Sequence, residues 1–177
     1  MMGAFPLAKV YGLLEPGPVV LLSTCRRGVP NVMAMSWHMM VEFEPPLLAC
    51  VISDRNYSYE TVRSTRECVI AIPTVEIAKK VVACGNCSGR DVDKFGNIGL
   101  TPRKASLVQA PLIAECYANL ECVLADVRMA KRYGLLVWEV KRAWIDRGKK
   151  HPRTIHHLGY GDFMVAGRTM HIASRMR

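Results

Sequence analysis

The sequence has no long apolar run, no internal repeat and none of the short motifs that mark the commonest catalytic folds. Its longest apolar runs, such as residues 47–52, are far shorter than the roughly 18 residues that a membrane-spanning helix needs. It also lacks paired carboxylates, a Gly-x-Ser-x-Gly elbow and a Gly-x-Gly-x-x-Gly fingerprint. The sequence therefore lacks the motifs of hydrolases, kinases and Rossmann dehydrogenases. Because its apolar runs are short, we expect no membrane association.

The N-terminal region makes a poor signal peptide, because Pro6 interrupts its short apolar stretch and Lys9 is its one early charge. Seven cysteines are present, and several lie inside apolar, strand-like runs. An odd number of cysteines in such positions is typical of reduced, mostly buried thiols. The pattern predicts a cytoplasmic protein.

The charge is unbalanced, with 24 Lys and Arg residues against 15 Asp and Glu residues and a formal net charge of +9. From Lys131 onwards there are 11 basic residues and only three acidic ones. A basic region of this kind can attract a phosphate-bearing ligand or a nucleic acid. It can equally be solvated surface, and composition leaves both interpretations open.

Short strand-like segments dominate the chain. We expect strands at residues 19–24, 32–37, 47–53, 68–72, 120–127 and 135–145, and helices at residues 57–65, 75–83 and 91–95. Thr74 is a suitable N-cap for the second helix, and Gly85 could sit just past its end. Many short strands with few helices predict a mostly β fold, a closed or nearly closed barrel in one domain of 177 residues.

The segment SDRNYS at residues 53–58 joins an expected strand to the first helix. Unpaired N–H groups and the partial positive charge at a helix start attract anions, and Arg55 can add a charge-assisted fork. Ser53, Asn56 and Ser58 supply further donors, so the segment can hold a phosphomonoester. Ordinary capping by Asn56 or Ser58 explains the same residues.

A second candidate is NVMAMSW at residues 31–37, where strand alternation places one amide, two thioethers and one indole on the same face. Such a face suits a planar polar heteroaromatic ligand, and core packing explains it as well. Cys84 and Cys87 lack a second ligand pair, so we interpret them as loop cysteines without a metal. The adjacent His156 and His157 point to opposite faces of a strand and make a weak metal pair.

These segments, in this order, resemble the flavin reductase-like family, which binds FMN in a split barrel of Greek-key topology. The resemblance runs through PVVLLST (18–24), NVMAMSW (31–37), Pro45-Pro46, RNYS (55–58), CVIAIP (68–73), DKF (93–95) and APLI (110–113). It implies one FMN-binding domain over residues 1–177, with a core at about 16–165 and a C-terminal extension at 166–177. It also implies a homodimer with flavin near the subunit interface.

The resemblance assigns roles to single residues. Asn31 corresponds to an amide that contacts the flavin, Trp37 to a tryptophan near the ring or ribityl chain, and Lys94 to a lysine near flavin or phosphate. An aromatic that covers the ring corresponds to Phe163 or Tyr160. The predicted cofactor contacts are Asn31, Met33, Ser36, Trp37, Ser53, Arg55, Asn56, Ser58, Lys94, Tyr133 and Phe163.

Two positions depart from the family pattern. Tyr133 stands where many members have a flavin-contacting histidine, and Trp138 stands at a usual glycine position. Either change could narrow the nicotinamide side of the pocket, which leaves the identity of the electron donor open. The sequence also does not decide between NADH and NADPH.

The resemblance implies an NAD(P)H-dependent flavin reductase that passes a hydride from nicotinamide to flavin. The alternative is an FMN-carrying electron-transfer protein, like flavoredoxin, that a protein partner reduces. A distant alternative is a nucleic-acid-binding barrel that uses the basic C-terminal region together with Tyr133, Trp138 and Trp144.

Overall fold

The computed structural model describes residues 17–172 and shows a mostly β architecture with four helices in that range. The strands are β1 (Val20–Arg26), β2 (Val29–Met35), β3 (His38–Glu42), β4 (Leu47–Val51), β5 (Glu67–Ile72), β6 (Pro102–Arg103), β7 (Leu112–Ile113), β8 (Ala118–Asp126), β9 (Leu135–Ile145), β10 (Ile155–Gly159) and β11 (Asp162–Val165). The helices are α1 (Tyr57–Thr65), α2 (Ala78–Gly85), α3 (Lys94–Ile98) and α4 (Ala130–Tyr133). Residue 16 of the predicted core and residues 173–177 of the predicted extension lie outside the described residues.

Seven strands form one antiparallel sheet in the order β2-β1-β5-β8-β9-β4-β3, and two short hairpins, β6–β7 and β10–β11, lie beside it. Strand β1 is buried on both faces, because its alternating residues enter two different clusters. Val20 and Leu22 pack with Trp138 in one cluster, whereas Leu21 packs with Phe95 in the other. This two-sided burial explains why β1 begins with an unbroken apolar run, residues 20–22, instead of alternating apolar and polar residues.

The predicted bounds of α1 and β9 are confirmed residue for residue. The predicted helix at 75–83 instead begins as a 3-10 turn at Val75–Ile77 and continues as α2, whose last residue is Gly85. Thr74 is at the predicted N-cap position, but its side chain makes no capping hydrogen bond. The third helix starts at Lys94, later than predicted, because the Asp93 carboxylate accepts a hydrogen bond from the backbone N–H of Phe95 at 3.1 Å.

Trp138 is a fully buried residue of β9, and its indole N–H donates to the Cys50 sulfur at 3.2 Å. The suggestion that this tryptophan narrows a pocket is therefore wrong, and its role is core packing. In residues 17–172, no helix is both long enough and apolar enough to cross a membrane.

Candidate functional site

The first turn of α1 lies against strand β2, and a buried hydrogen bond joins the two. Asn31 Nδ2 donates to Ser58 Oγ at 2.9 Å, and both side chains are buried. Asn56 occupies the N-cap position, but its side chain makes no capping hydrogen bond. Capping therefore does not use the Asn56 amide, which leaves it available to a ligand at the start of the helix.

The other end of the Asn31 amide has no partner. Its Oδ1 atom is buried and accepts no hydrogen bond from the described residues. Leaving a buried acceptor unpaired costs about 1–3 kcal/mol. A ligand that brings a donor to this atom would remove that cost.

Gly89 packs directly against Asn31. A Cβ atom at Gly89 would overlap the Asn31 amide and would lie 2.9 Å from Cδ1 of Tyr57. The loop after α2 can approach β2 and α1 this closely only because residue 89 has no side chain.

These elements enclose a cavity of about 210 Å³, which we call the polar pocket. It is lined by Asn31, Met33, Ala34, Arg55, Asn56, Tyr57, Ser58, Cys84, Gly85, Cys87, Ser88, Gly89, Arg90 and Lys94. Three of these side chains are cationic and none is a carboxylate. The polar pocket is therefore suited to an anion.

Lys94 supplies the most deeply buried of the three charges. It is only 6% exposed, and its Nζ donates to the Cys84 carbonyl at 2.8 Å. No ion pair of Lys94 is found among the described residues. Because a buried charge is costly unless it is paired, an anion in the polar pocket would stabilise Lys94.

Arg90 is held at the rim of the polar pocket by two contacts. Its Nη1 donates to the Arg55 carbonyl at 3.3 Å, and its guanidinium lies over the Tyr57 ring at 5.7 Å from the centroid. The side chains of Arg55 and Arg90 are exposed, so both can meet a ligand from solvent.

A second cavity, the apolar pocket, continues from the first. It has a volume of about 270 Å³ and is lined by Val19, Ala34, Met35, Ser36, Val81, Val82, Gly85, Asn86, His157, Gly161 and Phe163. Ala34 and Gly85 line both cavities. The rings of His157 and Phe163 lie with centroids 5.2 Å apart and a tilt of 48°, which forms an aromatic wall.

The structure brings most of the predicted contact residues together. Six line the polar pocket: Asn31, Met33, Arg55, Asn56, Ser58 and Lys94. Ser36 and Phe163 line the apolar pocket. Trp37, Ser53 and Tyr133 are exposed and line neither pocket.

Local backbone geometry explains two of these placements. Strand β2 ends at Met35, so the alternation that would align Trp37 with Asn31 stops two residues early. Ser53 Oγ accepts from the backbone N–H of Arg55 at 3.2 Å, which uses its side chain within the loop. Tyr160, the alternative to Phe163, is 87% exposed and lines neither pocket.

Sequence reasoning missed the segment CSGR at residues 87–90, which lines the polar pocket. A detectable signal was the glycine-rich run CGNCSGR directly after a predicted helix. Burial raises the pKa of the Cys84 thiol to about 11, against a smaller opposite effect of the Lys94 ammonium. Among residues 17–172 no cluster of three His, Cys, Asp or Glu side chains is arranged to hold a metal ion.

Comparison with known proteins gives consistent results. Residues 13–163 match the family described as the flavin reductase like domain. The chain is 35% identical over 173 residues to the uncharacterized protein YddH of Escherichia coli K12, covering 88% of this chain and 90% of that protein.

Two solved structures are similar along almost the whole chain. An FMN-binding domain of a flavin reductases-like enzyme from Shewanella baltica OS155 is 30% identical, with a TM-score of 0.84 and coverage of 97% of both chains. The flavoredoxin from Methanosarcina acetivorans is 25% identical, with a TM-score of 0.79 and coverage of 99% of this chain and 96% of the other. These likenesses confirm the predicted split-barrel fold.

Proposed function

Because the chain belongs to the flavin reductase-like family, we propose that it binds FMN in one domain and reduces flavin with NADH or NADPH. The observation that carries the proposal is the continuity of a cationic polar pocket with an apolar pocket across Ala34 and Gly85. FMN has the same division, with an anionic phosphate and hydroxylated chain at one end and an aromatic ring system at the other.

The polar pocket fits the phosphate end. Arg55 and Lys94 would neutralise the phosphate charge, and Ser58 and Asn56 at the start of α1 would donate hydrogen bonds to its oxygens. Asn31 Oδ1 would accept from a hydroxyl of the sugar chain or a ring N–H, which satisfies the one unpaired end of its amide. Met33 would pack beside the chain.

The apolar pocket fits the ring end. Ala34 and Gly85 would line the ring site, Ser36 would offer a hydrogen bond to a polar ring edge, and Phe163 would pack on the ring beside His157. The small side chains at the junction let one elongated ligand occupy both pockets.

A bound flavin supplies the hydride chemistry of this family, and the protein supplies binding and orientation. The residues of the two pockets would hold the ring and exclude water from it. No side chain is required as acid, base or nucleophile. The basic C-terminal region would attract the anionic nicotinamide dinucleotide by long-range electrostatics.

The edge strand β3 supports a homodimer. Four large apolar side chains are exposed on or beside this strand: Trp37, Met39, Met40 and Phe43. An exposed apolar sheet edge is typical of a protein–protein interface. In the proposed dimer a second copy covers this edge. The seven free thiols, all in the described residues, support a cytoplasmic location.

The likeness to flavoredoxin favours one alternative, an FMN-carrying protein that a redox partner reduces. Addition of NADH or NADPH to the FMN-loaded protein without oxygen separates the two functions. If the protein is a reductase, NADH or NADPH bleaches the absorption of the bound FMN. This bleaching is faster than the bleaching of free FMN by the same nucleotide at equal flavin concentration. Flavin that resists both nucleotides overturns the reductase proposal and supports the carrier.

The nucleic-acid alternative loses support. Of its three proposed aromatic contacts, Trp138 is fully buried and Trp144 donates its indole N–H to the Glu121 carboxylate at 2.7 Å. The burial of Trp138 removes one of these three rings from any stacking surface, whereas Trp144 stays 42% exposed with the Arg142 guanidinium over its ring.

A further inference from the structure

A third and much larger cavity, the basic groove, opens beside the polar pocket. Its volume is about 1070 Å³, five times that of the polar pocket. The two share Asn31, Tyr57, Gly89 and Arg90 as lining residues. The two cavities therefore adjoin at these four residues.

The hairpin between β1 and β2 forms one wall of the groove. Its two turn residues, Arg27 and Gly28, have φ angles of 52° and 80°, the geometry of a tight hairpin turn with both residues left-handed. Arg26 and Arg27 both line the groove and are exposed. None of the ion pairs found among residues 17–172 involves either arginine.

Other residues that line the groove carry different chemistry. Tyr57 is 40% exposed, and the Arg90 guanidinium lies over its ring. Asp91 and Asp93 also line the groove. Asp93 is engaged as the N-cap of α3, whereas Asp91 lies in the exposed loop before it.

These groups match the parts of an adenosine monophosphate unit. Guanidiniums bind a second phosphate, an exposed aromatic ring paired with a guanidinium offers a stacking surface for a base, and a carboxylate accepts from a ribose diol. FMN has no atoms beyond its phosphate, so it would leave this space to solvent.

We propose that the basic groove takes the adenosine monophosphate half of FAD, so that this chain binds FAD more tightly than FMN. The inference rests on the proposed function, since the flavin phosphate must lie in the polar pocket. Arg26 and Arg27 contact the second phosphate, Tyr57 stacks on the adenine, and Asp91 accepts from the ribose hydroxyls.

The test is a fluorescence titration of the full chain with FMN and with FAD, at one ionic strength. The double variant Arg26→Ala with Arg27→Asn removes both charges, and asparagine suits the left-handed backbone at position 27. The control variant, Lys104→Asn with Arg147→Asn, removes the same charge at exposed positions that line none of the three cavities.

We expect the wild type to bind FAD at least about tenfold more tightly than FMN, and the double variant to lose about tenfold or more for FAD alone. The control should keep both affinities. FAD binding no tighter than FMN binding, or equal losses for the two flavins in the double variant, overturns the inference while the proposed function stands. Failure to bind either flavin overturns the proposed function itself.

A kinetic measurement distinguishes FAD from the nicotinamide dinucleotide as the ligand whose adenylate half occupies the basic groove. If the groove instead serves the nicotinamide dinucleotide, the double variant raises the KM for NADH or NADPH and leaves the ratio of FAD to FMN affinity unchanged. That result also overturns the inference.

Discussion

Asn31 of β2 and Ser58 of α1 are joined by a buried hydrogen bond of 2.9 Å, although they are 27 residues apart in sequence. The bond fixes the start of the helix against the strand, and it leaves the buried Oδ1 atom of Asn31 as an unpaired acceptor in a residue that lines the polar pocket. This pair of side chains therefore holds β2 and the start of α1 together beside the proposed phosphate site.

Replacement of Asn31 by Ala should weaken FMN binding by about tenfold, because the ligand loses an acceptor and Ser58 loses its partner. Asn31→Asp should weaken it further, since a carboxylate would add a negative charge to the pocket that holds the phosphate. Fluorescence titration measures both effects, and Asn97→Ala, at an exposed position of α3, is the control. Unchanged FMN affinity in Asn31→Ala would place the ligand elsewhere.

Replacement of Lys94 by Met should discriminate between flavins. We expect FMN affinity to fall by about tenfold or more while riboflavin affinity changes little, because the lysine acts on the phosphate. Lys80→Met is a matched control, since Lys80 Nζ also donates to a backbone carbonyl, that of Gly99, but lies outside both pockets. Equal losses for FMN and riboflavin would contradict the phosphate role of Lys94.

The two cysteines of the polar pocket should differ in reactivity. Cys84 is buried and its pKa is raised to about 11, so it stays a neutral thiol at pH 8. Cys87 is only partly buried and should react first with iodoacetamide. Mass spectrometry of labelled protein should show Cys87 modified before Cys84, and FMN should protect Cys87. Equal labelling of Cys87 with and without bound FMN would argue against a ligand in this pocket.

Glu121 should be important for stability. Its carboxylate accepts from Trp144 Nε1 at 2.7 Å, from the Leu107 N–H at 2.6 Å and from the Ser106 N–H at 3.1 Å. Glu121→Ala would leave these donors unpaired and should lower the free energy of unfolding by about 3 kcal/mol. Glu115→Ala, which frees the exposed N–H and hydroxyl of Thr101, should cost less than about 1 kcal/mol. Urea unfolding measures the stability of both variants. Similar losses of unfolding free energy in the two variants would contradict the stabilising role of Glu121.

The Glu121 carboxylate also makes the free energy of unfolding depend on pH. Burial alone would raise the pKa of Glu121, but hydrogen bonds from Trp144, Leu107 and Ser106 outweigh it and hold the pKa below its usual value. The stabilisation is therefore complete above the unfolded-state pKa of about 4.3 and is lost as the pH falls through the lower folded-state pKa. Glu121→Gln should abolish this part of the acid sensitivity.

Local sequence signals predicted much of the fold. The β-rich run at residues 135–145 and the amphipathic pattern of α1 gave the observed bounds, because each has a single consistent periodicity. The edge strand β3 was missed, since its exposed residues carry no buried-face pattern. The hairpin β10–β11 was not among the expected strands, because β11 has only four residues and is largely exposed.

The candidate site was only partly predictable, because some of its residues lie in loops without a periodic sequence pattern. Asn31 and Ser58 lie in segments whose residue types suggest a polar ligand, whereas Lys94 was assigned from the family resemblance alone. The loop at residues 86–90 gives no periodic signal, and its place beside Asn31 depends on the absence of a side chain at Gly89. The exposure of Trp37 follows from where β2 ends, which alternation alone does not specify.

The central claim is that the polar and apolar pockets together hold one flavin, and an equilibrium titration of the flavin-free protein with FMN tests it most directly. We predict saturable binding of one FMN per chain, with a red shift or resolved shoulder in its visible absorption, and weaker binding of riboflavin because the phosphate contacts are lost. A protein that takes up no FMN, or that binds FMN and riboflavin equally, would contradict the account.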